Sequence, residues 1–118
     1  MLRKFLAVGF LLFATQAEAA SRVWISEFGV LGTTNSTGPA QIASLPSITN
    51  QSTLDISGGV QSSSAFNPGT RYIRVICEVQ CSVKVGGTAS TSDMLMPALS
   101  PEYFGVQPGA VLSVIASP

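Results

Sequence analysis

The chain contains no histidine among its 118 residues. Histidine is the usual general base near neutral pH, a frequent metal ligand, and the base that activates serine and cysteine nucleophiles. Its absence excludes all of these arrangements. The carboxylates after residue 19 are Glu27, Asp55, Glu78, Asp93 and Glu102. They are scattered, without the close pair that glycoside hydrolysis needs. The sequence therefore predicts a protein that is not an enzyme and that holds no metal or cofactor.

Charge is also scarce. Only 10% of the residues are charged, with six basic and six acidic side chains. No stretch is basic enough to track a phosphate backbone, so no nucleic-acid partner is expected. The polar surface must instead be built from serine, threonine, asparagine and glutamine, which repel neighbouring molecules poorly. This composition suits a protein that packs against other subunits, and equally an ordinary secreted β-domain.

A long apolar run occurs only at the start of the chain. Arg3 and Lys4 precede residues 5–13 (FLAVGFLLF), and small residues follow at positions 17 and 19. This order is typical of a secretory signal peptide, with cleavage expected between Ala19 and Ala20. The alternative is an uncleaved anchor, although the run is shorter than the ~20 residues that span a bilayer. We expect residues 1–19 to be a signal-like segment and 20–118 a single domain, which would meet a membrane only through an uncleaved segment.

The rest of the sequence has the pattern of short strands. Apolar residues occupy every second position from Ile73 to Val85, as in extended chain with one buried face. Residues 23–28, 54–56, 102–106 and 111–115 also read as strands, while 60–66 reads as an edge strand or loop. Turns are expected at Asn67-Pro68-Gly69 and, as type II, at Pro108-Gly109. The sequence predicts an all-β fold, a small antiparallel β-sandwich of jelly-roll-like character.

The two cysteines, Cys77 and Cys81, lie within the alternating stretch. In one straight strand their Cα atoms would be about 13 Å apart, too far for a disulfide. If the chain reverses at residues 78–80, the cysteines close a hairpin loop and can bond. We favour the bonded hairpin, because a 15-residue strand is long for such a domain and a signal peptide leads to an oxidising compartment. A metal-binding pair is the weakest option, since no further cysteine or histidine completes a site.

Four aromatic residues could form a platform for stacking a sugar ring. They are Trp24, Tyr72, Tyr103 and Phe104. Aromatic residues at alternate strand positions more often pack in the core or at its rim, and this is the interpretation we prefer.

The order of the segments resembles a known group of proteins. The blocks are PAQIASLPSIT (39–49), SAFNPGTRYIRV (64–75), VKVGG (83–87), LMPALSPEYFGV (95–106) and PGAVLSVI (108–115). Together they resemble the small β-sandwich structural proteins of tailed bacteriophages, which are head-decoration or cement proteins. The resemblance covers most of the chain after about residue 22, and no catalytic residues come with it.

The resemblance implies a non-enzymatic virion component that stabilises a capsid. Its partners would be capsid or other virion subunits, with repeated copies on one particle or a homo-oligomer. Contact is expected through the Ser/Thr-rich loops 33–38 and 88–93, because loops carry recognition on rigid β scaffolds. The alternative is a periplasmic or extracellular binding module, adhesin-like or carbohydrate-binding. A secreted enzyme inhibitor is a third, weaker alternative.

Overall fold

A computed structural model describes residues 21–34, 36 and 38–118 of the chain. These residues form strands, turns and loops, and none of them is helical. The all-β prediction is therefore confirmed. The signal-like segment 1–19 and the expected cleavage site between Ala19 and Ala20 lie outside the described residues.

Eleven strands run through the described part of the chain. They are β1 (Arg22–Phe28), β2 (Leu31–Thr33), β3 (Pro39–Ala43), β4 (Thr49–Asn50), β5 (Leu54–Asp55), β6 (Gln61–Ser62), β7 (Tyr72–Cys77), β8 (Cys81–Val85), β9 (Met94–Met96), β10 (Glu102–Gly105) and β11 (Leu112–Ala116).

The strands form two antiparallel sheets and a separate ribbon. The first sheet has the order β10-β7-β1-β4, and β5 pairs with the start of β1. The second sheet has the order β6-β11-β8-β9, and β2 pairs with β3 in a two-stranded ribbon. From β5 to β8, successive strands alternate between the two large sheets, which gives the fold its jelly-roll-like character.

The core lies between the two sheets. On β7, Ile73, Val75 and Cys77 are buried, whereas Tyr72 and Arg74 are only partly covered. The alternating apolar pattern therefore marks the inner face as predicted. Val83, Met96, Leu112 and Val114 of the second sheet join the same cluster, as do Ile56, Phe66 and Val106 from the connections. Burial of each large apolar side chain contributes about 1.5–3 kcal/mol, and this burial holds the sheets together.

Cys77 and Cys81 form a disulfide, with their Cα atoms 6.4 Å apart. The predicted bond and the turn at residues 78–80 are confirmed, but the predicted hairpin is wrong. Strand β7 pairs with β1 and β10, whereas β8 pairs with β11 and β9. The chain thus passes from one sheet to the other at this corner. The crossing allows the apolar faces of β7 and β8 to pack against each other, whereas a hairpin would leave them side by side.

The other sequence predictions differ in outcome. The turn at Gly109 is confirmed, with φ at +78° and a 3.2 Å bond from Ala110 N to the Gln107 carbonyl, as type II geometry requires. The ribbon was not predicted, and residues 34–38 of the loop expected at residues 33–38 lie between its two strands in sequence. Gly32 allows the two strands to approach closely there, since a Cβ at this position would lie 3.0 Å from the side chain of Ile42.

Candidate binding cleft on the outer face of the first sheet

A row of polar and aromatic side chains crosses the outer face of the first sheet. Ser26 of β1 lies opposite Asn50 on one side and Arg74 on the other, and Arg74 lies opposite Tyr103 of β10. Directly opposed residues in antiparallel strands have Cβ atoms about 5 Å apart. Four strands therefore bring Asn50, Ser26, Arg74 and Tyr103 into one line, although 53 residues separate Asn50 from Tyr103 in sequence.

This row forms the floor of a cleft of about 520 Å³. Ile42 and Ala43 of the ribbon and Leu45 just after it line the apolar side of the cleft. A second hollow of about 240 Å³ shares Ile42, Ala43 and Tyr103 and is also lined by Leu31 and Tyr72. The ribbon therefore forms one wall of a recess whose floor is the sheet.

The two tyrosines that line the second hollow differ in how firmly their side chains are held. Tyr72 is stacked on Phe28, with ring centroids 5.2 Å apart and planes 14° apart. Its hydroxyl donates a 2.7 Å hydrogen bond to the carbonyl of Val30. Tyr103 is 52% exposed, and its ring centre lies 6.4 Å from that of Tyr72. Tyr72 is a fixed part of the wall, whereas Tyr103 offers an open ring edge and hydroxyl to a ligand.

Arg74 is a half-buried cation on the cleft floor. Within the described residues, no hydrogen bond or ion pair reaches its guanidinium. Arg22 is different, because its Nε lies 3.0 Å from Glu78 Oε2 and its guanidinium stacks 5.3 Å above the ring of Trp24. The hydrogen bond to Glu78 raises the pKa of Arg22, and the same bond lowers the pKa of Glu78. Arg22 is thus satisfied internally, and Arg74 is available for an outside partner.

The proposed aromatic platform does not form as one surface. Phe104 packs against the core, as the preferred interpretation expected. Trp24 and Tyr72 are half-buried and Tyr103 is exposed, so none of the three packs in the core. Tyr72, which stacks on the buried Phe28, lies at the rim that the preferred interpretation also allowed. Trp24 contacts Arg22 at one end of the sheet, and only Tyr72 and Tyr103 contact each other.

Most of the carboxylates are engaged in structural contacts. Glu27 is almost fully buried and accepts hydrogen bonds from Thr70, Asn67 and Gln51. Asp55 accepts from Ser57 N, and Asp93 from Ser90 N. In the described ranges, no group of three or more acidic or cysteine side chains is arranged to hold a metal ion.

The two loops expected to carry recognition lie elsewhere. In residues 88–93, Ala89 is buried, and its amide donates a 2.9 Å bond to Ser113 Oγ. This loop is therefore fixed against the outer face of the second sheet. Of residues 33–38, the structure describes 33, 34, 36 and 38, and Thr34 N donates a 2.8 Å hydrogen bond to the carbonyl of Gly38. A partner contact through either loop stays a prediction.

Sequence reasoning missed the cleft itself. Its apolar wall comes from Ile42 and Leu45, and the neighbouring hollow is lined by Leu31, three apolar residues that the structure leaves exposed. The only available signal was apolar residues placed among glycine, serine and threonine, a pattern shared with half-buried strands.

Comparisons of the chain with protein-family models, curated proteins and solved structures found no match. Across residues 21–34, 36 and 38–118, no helix is long and apolar enough to cross a membrane.

Proposed function

We propose that the protein is a non-enzymatic structural component of a virion that decorates and stabilises a capsid. The observation that carries this proposal is the apolar surface around the ribbon. Five large aliphatic side chains are exposed there: Val30, Leu31, Ile42, Leu45 and Ile48. Exposed apolar residues in such a group are typical of surfaces that other proteins cover.

The distribution of charge supports assembly over catalysis. Glu27 is enclosed by donors, Glu78 is paired with Arg22, and Asp55 and Asp93 hold turns together. Each of these four carboxylates already has a structural partner, which supports assembly over catalysis. With so few other charges, little electrostatic repulsion opposes close contact between this protein and a capsid surface.

The virion assignment rests on the resemblance of five sequence blocks to phage decoration proteins. Residues 64–75, 83–87, 95–106 and 108–115 contribute β7, β8, β10 and β11 and much of the core. The exposed apolar group belongs instead to residues 30–48, which overlap the remaining block, 39–49. In this proposal the four blocks that carry the core strands supply the scaffold, and residues 30–48 supply the face that contacts the capsid. Covering that face would stabilise both the protein and its partner through binding linkage.

A second candidate, an exported binding module, is favoured by the Cys77–Cys81 disulfide. Disulfides persist mainly in oxidising compartments, and the signal-like segment would lead there. In this case the same cleft would bind a glycan or a cell-surface molecule.

Sedimentation separates the two candidates. Purified protein is mixed with undecorated particles of a phage that encodes it, and the particles are pelleted. Co-sedimentation that saturates at a fixed ratio per capsid subunit is expected for a decoration protein. Protein that stays in the supernatant yet is retained on a glycan column or on cells would assign the function to the exported module.

A further inference from the structure

Arg74 carries a charge that any covering partner must neutralise. When a capsid subunit covers the cleft, the half-buried guanidinium loses its remaining water. A buried cation is costly unless it gains an acceptor with good geometry. Because the described residues that line the cleft include no carboxylate, an anionic acceptor has to come from the partner.

Asn50 adds donors to the same row of the floor, with Ser26 of β1 between it and Arg74. Its Oδ1 accepts a 3.1 Å hydrogen bond from Ser47 Oγ, and its Nδ2 group can act as a donor. The Tyr103 hydroxyl can donate as well. Arginine and the asparagine amide therefore present several N–H groups from β7 and β4, the two strands on either side of β1. A donor-rich floor of this kind fits a carboxylate, which accepts several hydrogen bonds and pairs with arginine in a bidentate manner.

The apolar wall of the cleft favours a ligand in which apolar groups lie next to the carboxylate. Ile42 and Leu45 line one side of the cleft with aliphatic carbon, and this wall satisfies no hydroxyl group. An acidic sugar would leave hydroxyls without partners there, at a cost in free energy. An aspartate or glutamate can accept hydrogen bonds from the floor, while an apolar side chain next to it packs against the wall.

We propose that the cleft binds an acidic side chain of the neighbouring capsid subunit, flanked by an apolar residue, and that Arg74 is the residue that recognises the carboxylate. This inference rests on the proposed function and specifies the chemistry of its partner.

The main experiment compares two charge-removing variants in particle binding. Arg74→Gln removes the cleft cation, and Lys84→Gln removes an exposed cation on the outer face of the other sheet. Hydrogen bonds to charged groups are strong enough that Arg74→Gln should weaken binding about tenfold or more. Lys84→Gln should bind like the original protein. The dispersion of amide NMR signals confirms that both variants fold.

The outcomes separate this inference from the proposed function. Arg74→Gln protein that still decorates particles with unchanged affinity overturns the inference and leaves the decoration function intact. If the unaltered protein fails to sediment with particles, the decoration function itself fails, and the inference with it.

A second measurement uses small probes and needs no particle. Acetyl-aspartate amide at millimolar concentration should shift the NMR signals of the Arg74 Nε–H and Asn50 Nδ2 groups. Acetyl-asparagine amide should do so at least tenfold more weakly. If digalacturonate shifts these signals at a tenfold lower concentration than the aspartate probe, the cleft is a site for acidic sugars and the inference is wrong.

Discussion

The hydroxyl of Thr70 donates a 2.6 Å hydrogen bond to Oε1 of Glu27, and both residues are buried. The same oxygen accepts bonds from the amide and side chain of Asn67, and Oε2 accepts one from Gln51 at 3.0 Å. Burial raises the pKa of Glu27, but these hydrogen bonds outweigh it and hold the pKa below the ordinary value of 4.5. The carboxylate thus ties β1 to the turn before β7.

The Glu27 network predicts a loss of stability in acid. A carboxylate with a lowered pKa in the folded state contributes stability that is fully present above its unfolded pKa. That contribution should disappear as the pH falls below about 4.5 and through the lower pKa of the folded state. Urea unfolding between pH 7 and pH 3 measures the effect.

Glu27→Gln should lower the free energy of unfolding at pH 7 by about 1–3 kcal/mol. The Gln51 amide is held by Ser64, because Gln51 Nε2 donates to the Ser64 carbonyl and Gln51 Oε1 accepts from Ser64 N. It cannot turn to accept a hydrogen bond from the new NH₂ group without breaking these two bonds. The variant should also lose less stability in acid than the original protein. An equal fall in both proteins would show that Glu27 is not the group that titrates.

Replacement of Ser82 and of Ser113 by alanine should have opposite effects on the free energy of unfolding. Both are fully buried in adjacent strands of the second sheet. In the described residues Ser82 Oγ has no hydrogen-bond partner, whereas Ser113 Oγ accepts from Ala89 N. Ser82→Ala should therefore raise the free energy of unfolding by about 1 kcal/mol, because it removes an unsatisfied hydroxyl.

Ser113→Ala should lower the same free energy by about 1–3 kcal/mol, because the buried amide of Ala89 loses its acceptor. Hydrogen exchange at Ala89 should also become faster in this variant. A loss of stability in Ser82→Ala comparable to that in Ser113→Ala would contradict the assignment.

The disulfide should contribute modestly to stability. Because Cys77 and Cys81 enclose a short loop, the loss of chain entropy in the unfolded state amounts to about 2 kcal/mol. Urea unfolding with and without reductant should show this difference. Alkylation of folded, unreduced protein followed by intact mass analysis should add no label, and two labels would disprove the bond.

Export should release a chain that begins at Ala20. The ordered basic, apolar and small residues of positions 1–19 motivate this prediction. N-terminal sequencing of protein from the periplasm of an expressing bacterium measures it. Protein that begins at Met1 and occurs only in the cytoplasm would refute the secretory interpretation.

Local patterns predicted the strands better than their arrangement. The alternation at Ile73 and Val75 marked the buried face correctly, and Pro108-Gly109 marked its turn. The placement of apolar residues at every second position continues unchanged through Cys77 and Cys81, however. It contains no information about which sheet each strand joins. The crossing at this corner depends on how two apolar faces cover each other, a tertiary property.

The cleft could not be predicted for a related reason. Ser26, Asn50, Arg74 and Tyr103 become neighbours only through the strand order and register of the first sheet. Arg74 in the sequence is one polar residue of an alternating strand, as expected for a solvated face. Its lack of a partner becomes visible only when its neighbours across the sheet are known.

The corner at Cys77 and Cys81 also determines how the sandwich responds to a pulling force. Tension that runs along β7 into β8 passes through the sulfur atoms and bypasses residues 78–80. The Cα atoms of the two cysteines are 6.4 Å apart, whereas the same segment fully extended would span about 13 Å. Reduction would release about 7 Å of slack into the chain, a step that a single-molecule stretching experiment can register.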